Sequence, residues 1–400
     1  MLRLALYFNH YNTLGHSTRV FSFVKGVKEY FRKNVKIIIF QGGKRQYIFP
    51  WSRYARIFLL PYSIDKRGLF IEENARIYKK LISKGKMENM FRERFLLVKK
   101  ALKEFRPDFF ITEYFPLGRE FWTFEVPYIL REIKDNFNCR ILASAGYLSW
   151  IEETYNYIKE FYDFLFIHSP REFTEGYNLY LHKKGAAILH RVFMDFPEKV
   201  CFTGFIMDGN DEHRKNFGEG EIKRIKSRYN ALILVSRGGG IVNKKIILSS
   251  ILAAKRNKNL FFIITCGPAT SGKEFRKYCK LSRGIGNIRL FKVLYPSEFN
   301  LYMKEADLSI NMAGYNTSVK LLYYRKKTIL VPYYTSEQRW RAELIRKYLP
   351  SRIIPESSLS VGLLESSIKE LLGQKNIYPN INKNWFSGIS NTIKLLKCMI

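Results

Sequence analysis

Small polar residues and a glycine stand late in the chain, where a predicted strand passes into a predicted helix. Gly314, Asn316 and Thr317 follow a strand predicted over Asp307 to Asn311. Glycine lets the backbone approach a ligand closely, and the first N–H groups of a helix are unpaired at the positive end of its dipole. We therefore expect an anion here, most simply a phosphate. An ordinary α/β crossover with a capped helix has the same pattern.

A second glycine segment, Gly238, Gly239 and Gly240, follows a strand predicted over Ala231 to Ser236. It lacks both the Lys-Ser/Thr of a P-loop and the spacing of the dinucleotide fingerprint. Three glycines after a strand still favour a cradle of backbone N–H groups for an anion. The alternative is a tight turn that requires positive φ.

Polar side chains that suit proton transfer or hydroxyl binding stand in other predicted loops. Glu337 and Gln338, with Ser336, suit sugar or ribose hydroxyls. His16 is the best candidate for a general base, because its unperturbed pKa near 6.5 leaves it mostly neutral at pH 7. Glu113, at the end of a predicted strand, is the alternative base. A single histidine is more often structural, and the other histidines have no metal-ligand spacing; we interpret them as structural or exposed: His10, His168, His182, His190 and His213.

The elements that must position these residues alternate regularly between strand and helix. Alternation of this kind predicts parallel sheets covered on both faces, with ligands at the carboxyl ends of the strands. The remaining predicted strands are Leu2 to Phe8, Val35 to Gln41, Ile57 to Pro61, Asp108 to Tyr114, Arg140 to Ala145, Asp163 to His168, Lys199 to Phe205, Leu260 to Cys266, Ile288 to Val293 and Thr328 to Pro332. Hydrophobicity falls from Met207 to Tyr229, which predicts a linker between two domains.

Composition restricts the class of protein. Hydrophobic residues make up 46% of the 400 residues, enough for two domain cores. The 5 cysteines are scattered without a C-x-x-C pair, which argues against a disulfide framework and a zinc site and favours the reducing cytoplasm. Apolar runs are of strand length, well short of the roughly 20 residues that span a bilayer. The N-terminal apolar run is also too short for a signal peptide.

The formal net charge of +33 implies attraction to an anionic partner, although biased composition has the same effect. Denser basic segments, Lys25 to Lys36 and Lys84 to Arg106, carry interleaved aromatic and aliphatic residues on predicted helices. Such helices adsorb to anionic membranes, which predicts peripheral contact with the inner face of the cell membrane. A solvated helix face packed on a core looks similar. Nucleic acid is disfavoured as a partner because no reader module is recognisable.

The motifs taken together resemble a known family. G-H-x-x-R from Gly15, E-Y-F-P-L-G-R from Glu113, T-G-F-I from Thr203, G-G-G from Gly238, and A-G-Y-N-T followed by P-x-x-x-x-E-Q occur in order over nearly the whole chain. This set resembles predicted glycosyltransferases related to the lipid-linked N-acetylglucosaminyltransferase of peptidoglycan synthesis. The resemblance implies an α/β GT-B fold with two Rossmann-like domains facing across a cleft. Residues 1–206 would bind the acceptor and 230–384 the donor, with a last helix at 385–400 joining the first domain.

The same resemblance implies a nucleotide-sugar donor, typically UDP-linked, a lipid-linked or other anionic acceptor, an inverting transfer, and neither a metal nor another cofactor. Carried over by position, Gly238 to Gly240 and Gly314 to Thr317 face the diphosphate, and Val293 and Leu294 hold the base. Glu337 and Gln338 touch the donor sugar. Gly15 and His16 face the transferred sugar, and we assign Gly15, Arg19 and Arg119 to the acceptor.

Two positions depart from the family pattern. The first loop lacks a doubled glycine, and Lys320 stands where many relatives have a ribose-binding glutamate. A lysine has no acceptor for the ribose hydroxyls, but its long stem can bring a positive charge to the diphosphate. A non-catalytic binding protein on the same scaffold is favoured if Lys320 has abolished donor binding. A nucleotide-sugar 2-epimerase, which shares the fold, is another alternative. For the epimerase, we find no strongly acidic and basic active-site set.

Overall fold

The computed structural model describes residues 1–9, 14–44, 47–63, 80–117, 120–146, 154–182, 192, 194–207, 219–333, 336–375 and 379–400. Contacts divide the chain into two compact units. The first comprises Met1–Tyr11, Arg19–Met207 and Asn384–Ile400, and the second comprises Asn12–Thr18 and Asp208–Lys383.

The first unit contains a 7-stranded sheet in the order β3-β2-β1-β4-β5-β6-β7. Every described pairing in it is parallel. The strands are β1 (Leu2–Asn9), β2 (Val35–Gly42), β3 (Arg56–Leu60), β4 (Phe109–Glu113), β5 (Arg140–Ala145), β6 (Phe164–Ile167) and β7 (Val200–Phe202). The helices of this half of the chain are α1 (Gly15–Phe31), α2 (Glu88–Phe105), α3 (Val126–Asn136), α4 (Tyr155–Phe161) and α5 (Arg171–His182).

The second unit contains a 6-stranded parallel sheet in the order β10-β9-β8-β11-β12-β13. Its strands are β8 (Ala231–Ser236), β9 (Leu260–Thr265), β10 (Ile288–Phe291), β11 (Leu308–Asn311), β12 (Lys327–Leu330) and β13 (Ser351–Ile353). Its helices are α6 (Glu219–Arg228), α7 (Lys244–Arg256), α8 (Gly272–Ser282), α9 (Pro296–Glu305), α10 (Tyr315–Tyr324), α11 (Ser336–Arg346) and α12 (Val361–Gly373).

Continuous apolar strands explain this architecture. β8 (ALILVS) and β9 (LFFIIT) are buried along their whole length, as expected for strands covered by helices on both faces. In each sheet the chain order reverses beside the first strand, between β1 and β4 in one unit and between β8 and β11 in the other. In doubly wound sheets, ligands bind at the carboxyl ends of the strands at this reversal. The predicted α/β class with two doubly wound, Rossmann-like halves is confirmed.

The end of the chain packs in the first unit through α13 (Gly388–Cys398). Phe205 N donates to Trp385 O at 2.5 Å, and Gly388 N donates to Phe205 O at 3.1 Å. Trp385 Nε1 donates to Glu172 on α5 at 2.6 Å. A Cβ atom on Gly388 would lie 2.5 Å from both Gly204 O and Phe205 O, so only glycine allows this backbone contact.

Several boundaries differ from those predicted. β7 ends at Phe202 and not at Phe205, because Gly204 adopts a φ of +84° and turns the chain toward Trp385. The last part of the predicted linker forms α6, since Ile222 and Ile225 lie three residues apart and are buried. Helix α9 and strand β13 were not predicted. Residues 71–79, the start of a long helical region predicted over Ile71 to Phe105, lie outside the described residues.

None of the helices that the structure describes is both long and apolar enough to cross a membrane. The five cysteines are free thiols: Cys139, Cys201, Cys266, Cys279 and Cys398.

We predict that Gly388→Ala lowers the free energy of unfolding by about 1–3 kcal/mol, because the new methyl group would meet backbone atoms that have no alternative rotamer. Urea unfolding of the full chain measures the change. Gly362→Ala on α12 is the matched control, because its Cβ would have no atom within 4 Å. That control should leave stability unchanged or raise it by up to about 1 kcal/mol. Equal stability of both variants would contradict the packing argument.

Candidate functional site

The loops that leave β8 and β11 begin side by side in the second unit. Ser236 at the end of β8 pairs with Asn311 at the end of β11 in parallel register. Neighbouring strands in a sheet lie about 4.8 Å apart. The predicted glycine segment after β8 and the predicted phosphate loop after β11 therefore start next to one another at the reversal of strand order.

Arg237 organises the loop after β8. Its side chain is only 1% exposed, and each of its five N–H groups has an acceptor. The contacts are to Cys266 O (3.2 Å), Glu274 Oε1 (2.5 Å), Tyr278 Oη (3.1 Å), Gly240 O (2.5 Å) and Thr270 Oγ1 (2.8 Å). One guanidinium thus ties the loop after β8 to the loop after β9 and to α8. The sequence did not predict this role, because nothing in an arginine that precedes three glycines indicates that its side chain is buried.

The glycines after β8 have different roles. Gly240 (φ +87°) and Gly267 (φ +95°) pack backbone against backbone, since a Cβ on Gly240 would lie 2.7 Å from Cys266 O. Ala269 N closes the contact by donating to Gly239 O at 2.9 Å. A Cβ on Gly238 (φ +59°) would instead meet no atom within 4 Å. The exposed part of this loop is therefore at Gly238, and Gly240 anchors it.

Glu274 is held as a carboxylate beside Arg237. Burial raises the pKa of Glu274, but the hydrogen bonds from Tyr278 and Arg237 and the charges of Arg237 and Lys244 outweigh burial and lower it overall. Lys244 Nζ lies 3.4 Å from Glu274 Oε2. The Arg237 brace therefore remains charge-paired well below neutral pH.

The turn after β11 is held from two sides. Ala313 has a φ of +54°, which an L-residue seldom adopts. Asn311 Oδ1 accepts from Ala313 N at 2.9 Å, and Arg341 Nη1 donates to Ala313 O at 2.7 Å. This geometry places Gly314 at the N-cap of α10 without a side-chain cap. The first N–H groups of α10 therefore start from a rigid turn beside the buried cation Arg341.

Three residues predicted to bind the donor, Glu337, Gln338 and Lys320, make contacts within the protein in this region. Gln338 Oε1 accepts from Tyr333 N at 2.8 Å, and Glu337 pairs with Arg341. Lys320 is buried, its Nζ donates to Asn300 Oδ1 on α9, and it lies 5.4 Å from the centre of the Phe299 ring. Its positive charge is therefore directed toward α9 in this structure. Val293 and Leu294, the predicted base-holding residues, lie in the loop between β10 and α9.

The start of α1 contains Gly15 and His16, which the contacts group with the second unit. Gly15 is exposed and accepts a 3.0 Å hydrogen bond from Asn316 Nδ2. His16 is half-buried in the first turn of α1. Gly15, predicted for the acceptor, therefore contacts Asn316, predicted for the diphosphate.

Glu113 lies in a different environment, at the end of β4 in the first unit. It is 3% exposed and pairs with Arg19, itself 4% exposed. Ser144 Oγ donates to the other Glu113 oxygen, Oε2, at 2.8 Å. Both carboxylate oxygens are engaged, and Arg19 stacks on Tyr114 at 4.9 Å. This geometry favours a positioning role for Glu113 and Arg19 over proton transfer or acceptor binding.

The hydrogen-bond chain continues to His168, just after β6. Ser144 Oγ lies 3.0 Å from His168 Nε2, and His168 Nδ1 lies 2.7 Å from Thr203 Oγ1. Burial, with a smaller contribution from the charge of Arg19, lowers the pKa of His168 to about 3, and Glu113 opposes the shift. His168 is therefore neutral at physiological pH. Sequence reasoning missed Ser144 and Thr203 as partners, although their place at strand ends is the signal that selected Glu113.

The remaining predictions concern Arg119 and metal binding. Arg119 lies outside the described residues. Over the described ranges, which omit the segments between them, no group of three or more His, Cys, Asp and Glu side chains is arranged to hold a metal ion.

Comparison with known families finds one match, in the second half of the chain. Residues 230–396 match the model of the glycosyltransferase family 28 C-terminal domain. This region begins at the strand that leads into Arg237 and contains both loops described above. No curated protein matches the sequence of the whole chain.

Solved structures match over essentially the full length. MurG of Acinetobacter baumannii aligns with a TM-score of 0.58 at 11% identity, covering 100% of both chains. The calicheamicin glycosyltransferase CalG4 aligns at 0.60 and 11% identity, covering 100% of this chain and 98% of the other. UDP-GlcNAc 2-epimerase from Neisseria meningitidis, solved with UDP-GlcNAc, aligns at 0.59 and 12% identity, covering 100% of both. The fold is GT-B, and the resemblance to GT-B glycosyltransferases related to MurG is confirmed.

We predict that His168 makes the free energy of unfolding depend more steeply on pH under acidic conditions. The unfolded imidazole binds a proton below pH about 6.5, whereas the folded one binds it only below about 3. Between these values the unfolded state holds more protons, so the free energy of unfolding falls as pH falls, by up to about 1.4 kcal/mol per pH unit from this group. His168→Gln should remove that part of the slope between pH 6 and 4 in urea unfolding. An NMR titration of His168 with a midpoint near pH 6 would contradict the assignment.

Proposed function

We propose that this protein is a glycosyltransferase that takes a hexose or N-acetylhexosamine from a nucleotide sugar, UDP-linked, and moves it to a hydroxyl of a lipid-linked or other anionic acceptor. The observation that carries the proposal is the Arg237 brace, which holds an exposed Gly238 backbone beside the turn that starts α10. The match of this region to the family 28 C-terminal domain supports a donor site there.

The donor diphosphate would lie against these two loops. Backbone N–H groups at a helix N-terminus and in a glycine turn suit a phosphate because they donate hydrogen bonds without a competing negative charge. Rigid donors also stabilise the charge that develops on a leaving diphosphate, since no reorganisation is needed during the reaction. The Ala313 turn, fixed by Asn311 and Arg341, supplies this rigidity.

In the transfer step the acceptor oxygen forms a bond to the anomeric carbon while the bond from that carbon to the diphosphate breaks, which inverts the anomeric configuration. The acceptor hydroxyl proton passes to a base, for which we propose His16. Two observations support this choice over Glu113: His16 is only half-buried and groups with the unit that carries the donor loops, whereas both Glu113 oxygens are engaged. Glu113 then acts by holding Arg19 and Ser144.

A nucleotide-sugar 2-epimerase is a second candidate, because UDP-GlcNAc 2-epimerases align over the full chain as well as transferases do. The two activities differ in product. An epimerase returns a nucleotide sugar with inverted C2, whereas a transferase releases the free nucleotide.

We predict that Gly238→Asn weakens UDP binding at least tenfold in calorimetry on the full chain. Asparagine tolerates positive φ, so the fold should persist while the new side chain covers the exposed loop. Gly284→Asn is the matched control, since Gly284 also has positive φ (+77°) and open space around it, but lies after α8. Equal UDP affinity of both variants would indicate that the donor site lies elsewhere.

A screen of nucleotide sugars that yields a C2-epimerised nucleotide sugar would favour the epimerase.

We predict that His16→Ala lowers the turnover of donor hydrolysis or transfer by about 10² or more, with little change in UDP affinity, as expected for loss of a general base. Steady-state kinetics and calorimetry separate the two effects. Glu113→Gln should act mainly on stability, because it leaves the buried Arg19 charge without its carboxylate. A folded His16→Ala protein with unchanged turnover would contradict the assignment.

A further inference from the structure

A large cleft opens at the amino-terminal ends of the strands of the second sheet, whereas the proposed donor loops lie at their carboxyl ends. Its volume is about 870 Å³, within the usual range for ligand sites of roughly 300–1,000 Å³. It is lined where β8, β9, β11 and β12 begin, for example by Ala231, Leu260 and Lys327. Strands of four to six residues place it roughly 13–20 Å from the carboxyl ends of the same strands.

Positive side chains dominate the lining. Five lining residues are cations, namely Arg256, Arg325, Lys326, Lys327 and Lys369, and two are anions, Asp307 and Glu365, which leaves a side-chain charge of +3. Arg256 lies 3.3 Å from Glu365, and Lys327 donates to backbone carbonyls of the α12 C-terminus, at 2.5 Å for Gln374 O. Within the part of the chain that the structure describes, Arg325, Lys326 and Lys369 have no side-chain hydrogen bond or ion pair.

Helix ends account for only part of this charge. The C-termini of α7, α9, α10 and α12 meet at the cleft, and each helix C-terminus carries about half a negative charge, roughly −2 in total. Cations are common at such ends for this reason. Here the side-chain charge of +3 exceeds the helix-end charge by about one unit, so a positive excess remains for a ligand.

Lys326 shows that part of this excess positive charge is poorly solvated. It is half-buried, directly after the C-cap of α10. Burial lowers the pKa of Lys326, although Asp307 and Glu305 raise it. Two nearby cations, Lys226 and Lys304, lower it again. An anion in the cleft would reverse this cost, because it would replace the lost water around the ammonium group.

We propose that this cleft is a second ligand site, which binds a phosphate-bearing anion through Lys326, Arg325 and Lys369. A phosphate offers several acceptor oxygens and two negative charges, which matches three unengaged cations around one concave surface. The ligand is either a free phosphorylated compound or a lipid phosphate headgroup. The site is distinct from the donor loops because it lies at the other ends of the strands.

The first test is protection of lysines from acylation in the full-length protein, measured by peptide mass spectrometry. Pyrophosphate should slow the acylation of Lys326 at least fivefold relative to sodium chloride of equal ionic strength. Lys277, exposed in the middle of α8 and outside the cleft, is the internal control and should not change. Equal protection of both lysines, or protection of neither by pyrophosphate and by the anionic vesicles described below, would overturn the proposal.

The second test does not depend on the reactivity of Lys326. The double variant Arg325→Gln, Lys369→Gln removes two exposed cations and should weaken pyrophosphate binding to the cleft about tenfold or more in calorimetry with UDP present in excess. The double variant Lys277→Gln, Lys280→Gln on α8 also removes two exposed cations, outside the cleft, and controls for net charge. UDP affinity should be unchanged in all of these proteins. Unchanged pyrophosphate binding in the double variant would overturn the proposal.

Vesicles separate the two sources of phosphate. Protection of Lys326 by soluble pyrophosphate assigns a free phosphorylated ligand. Protection by vesicles of phosphatidic acid and phosphatidylcholine, but not by pyrophosphate or by phosphatidylcholine alone, assigns a lipid headgroup. Absence of protection in every arm would leave the cleft without a phosphate ligand and contradict the inference.

Discussion

The second unit depends on one buried guanidinium. A charge that is 1% exposed is costly unless each donor has a partner, and Arg237 meets this condition with five acceptors from three segments of chain. No other side chain has five donors in a fixed planar arrangement, so a lysine at this position could not make the same contacts. These contacts hold the loop after β8 in the conformation that leaves Gly238 exposed.

The first unit also contains buried arginines that are paired with carboxylates. Arg94 on α2 is 1% exposed, donates to Glu125 at 2.9 Å and to Pro61 O at 2.6 Å, and Tyr7 Oη donates to the same carboxylate at 2.5 Å. Arg19 and Glu113 form a second buried pair in the same unit, at the end of β4. Buried ion pairs seldom add much net stability, but breaking one is expensive. Their effect here is to fix the loops at the carboxyl ends of the strands.

The cations that give the net charge of +33 have several structural roles. Some cations are buried braces, such as Arg237, and some satisfy helix C-termini, as Lys327 does for α12. In the basic segment from Lys84 to Arg106, Arg94 is turned into the core while Arg92, Lys100 and Lys103 remain exposed. A total charge therefore says little about a partner until the engaged cations are separated from the unengaged ones. In the second unit, this separation leads to the cleft beside Lys326.

The sequence by itself determined the alternation of strands and helices, because buried parallel strands are continuous apolar runs whose ends are marked by glycine and polar residues. Strands such as Ala231–Ser236 and Arg140–Ala145 were predicted to the residue for this reason. The glycine loops and Glu113 were found by the same local signal. Only the tertiary structure decided the partners of these residues. The links from Arg237 to Glu274, from Glu113 to Arg19, and from Ser144 to His168 span 37, 94 and 24 residues. Local periodicity carries no information about such contacts, since they are fixed by the order of strands in the sheet.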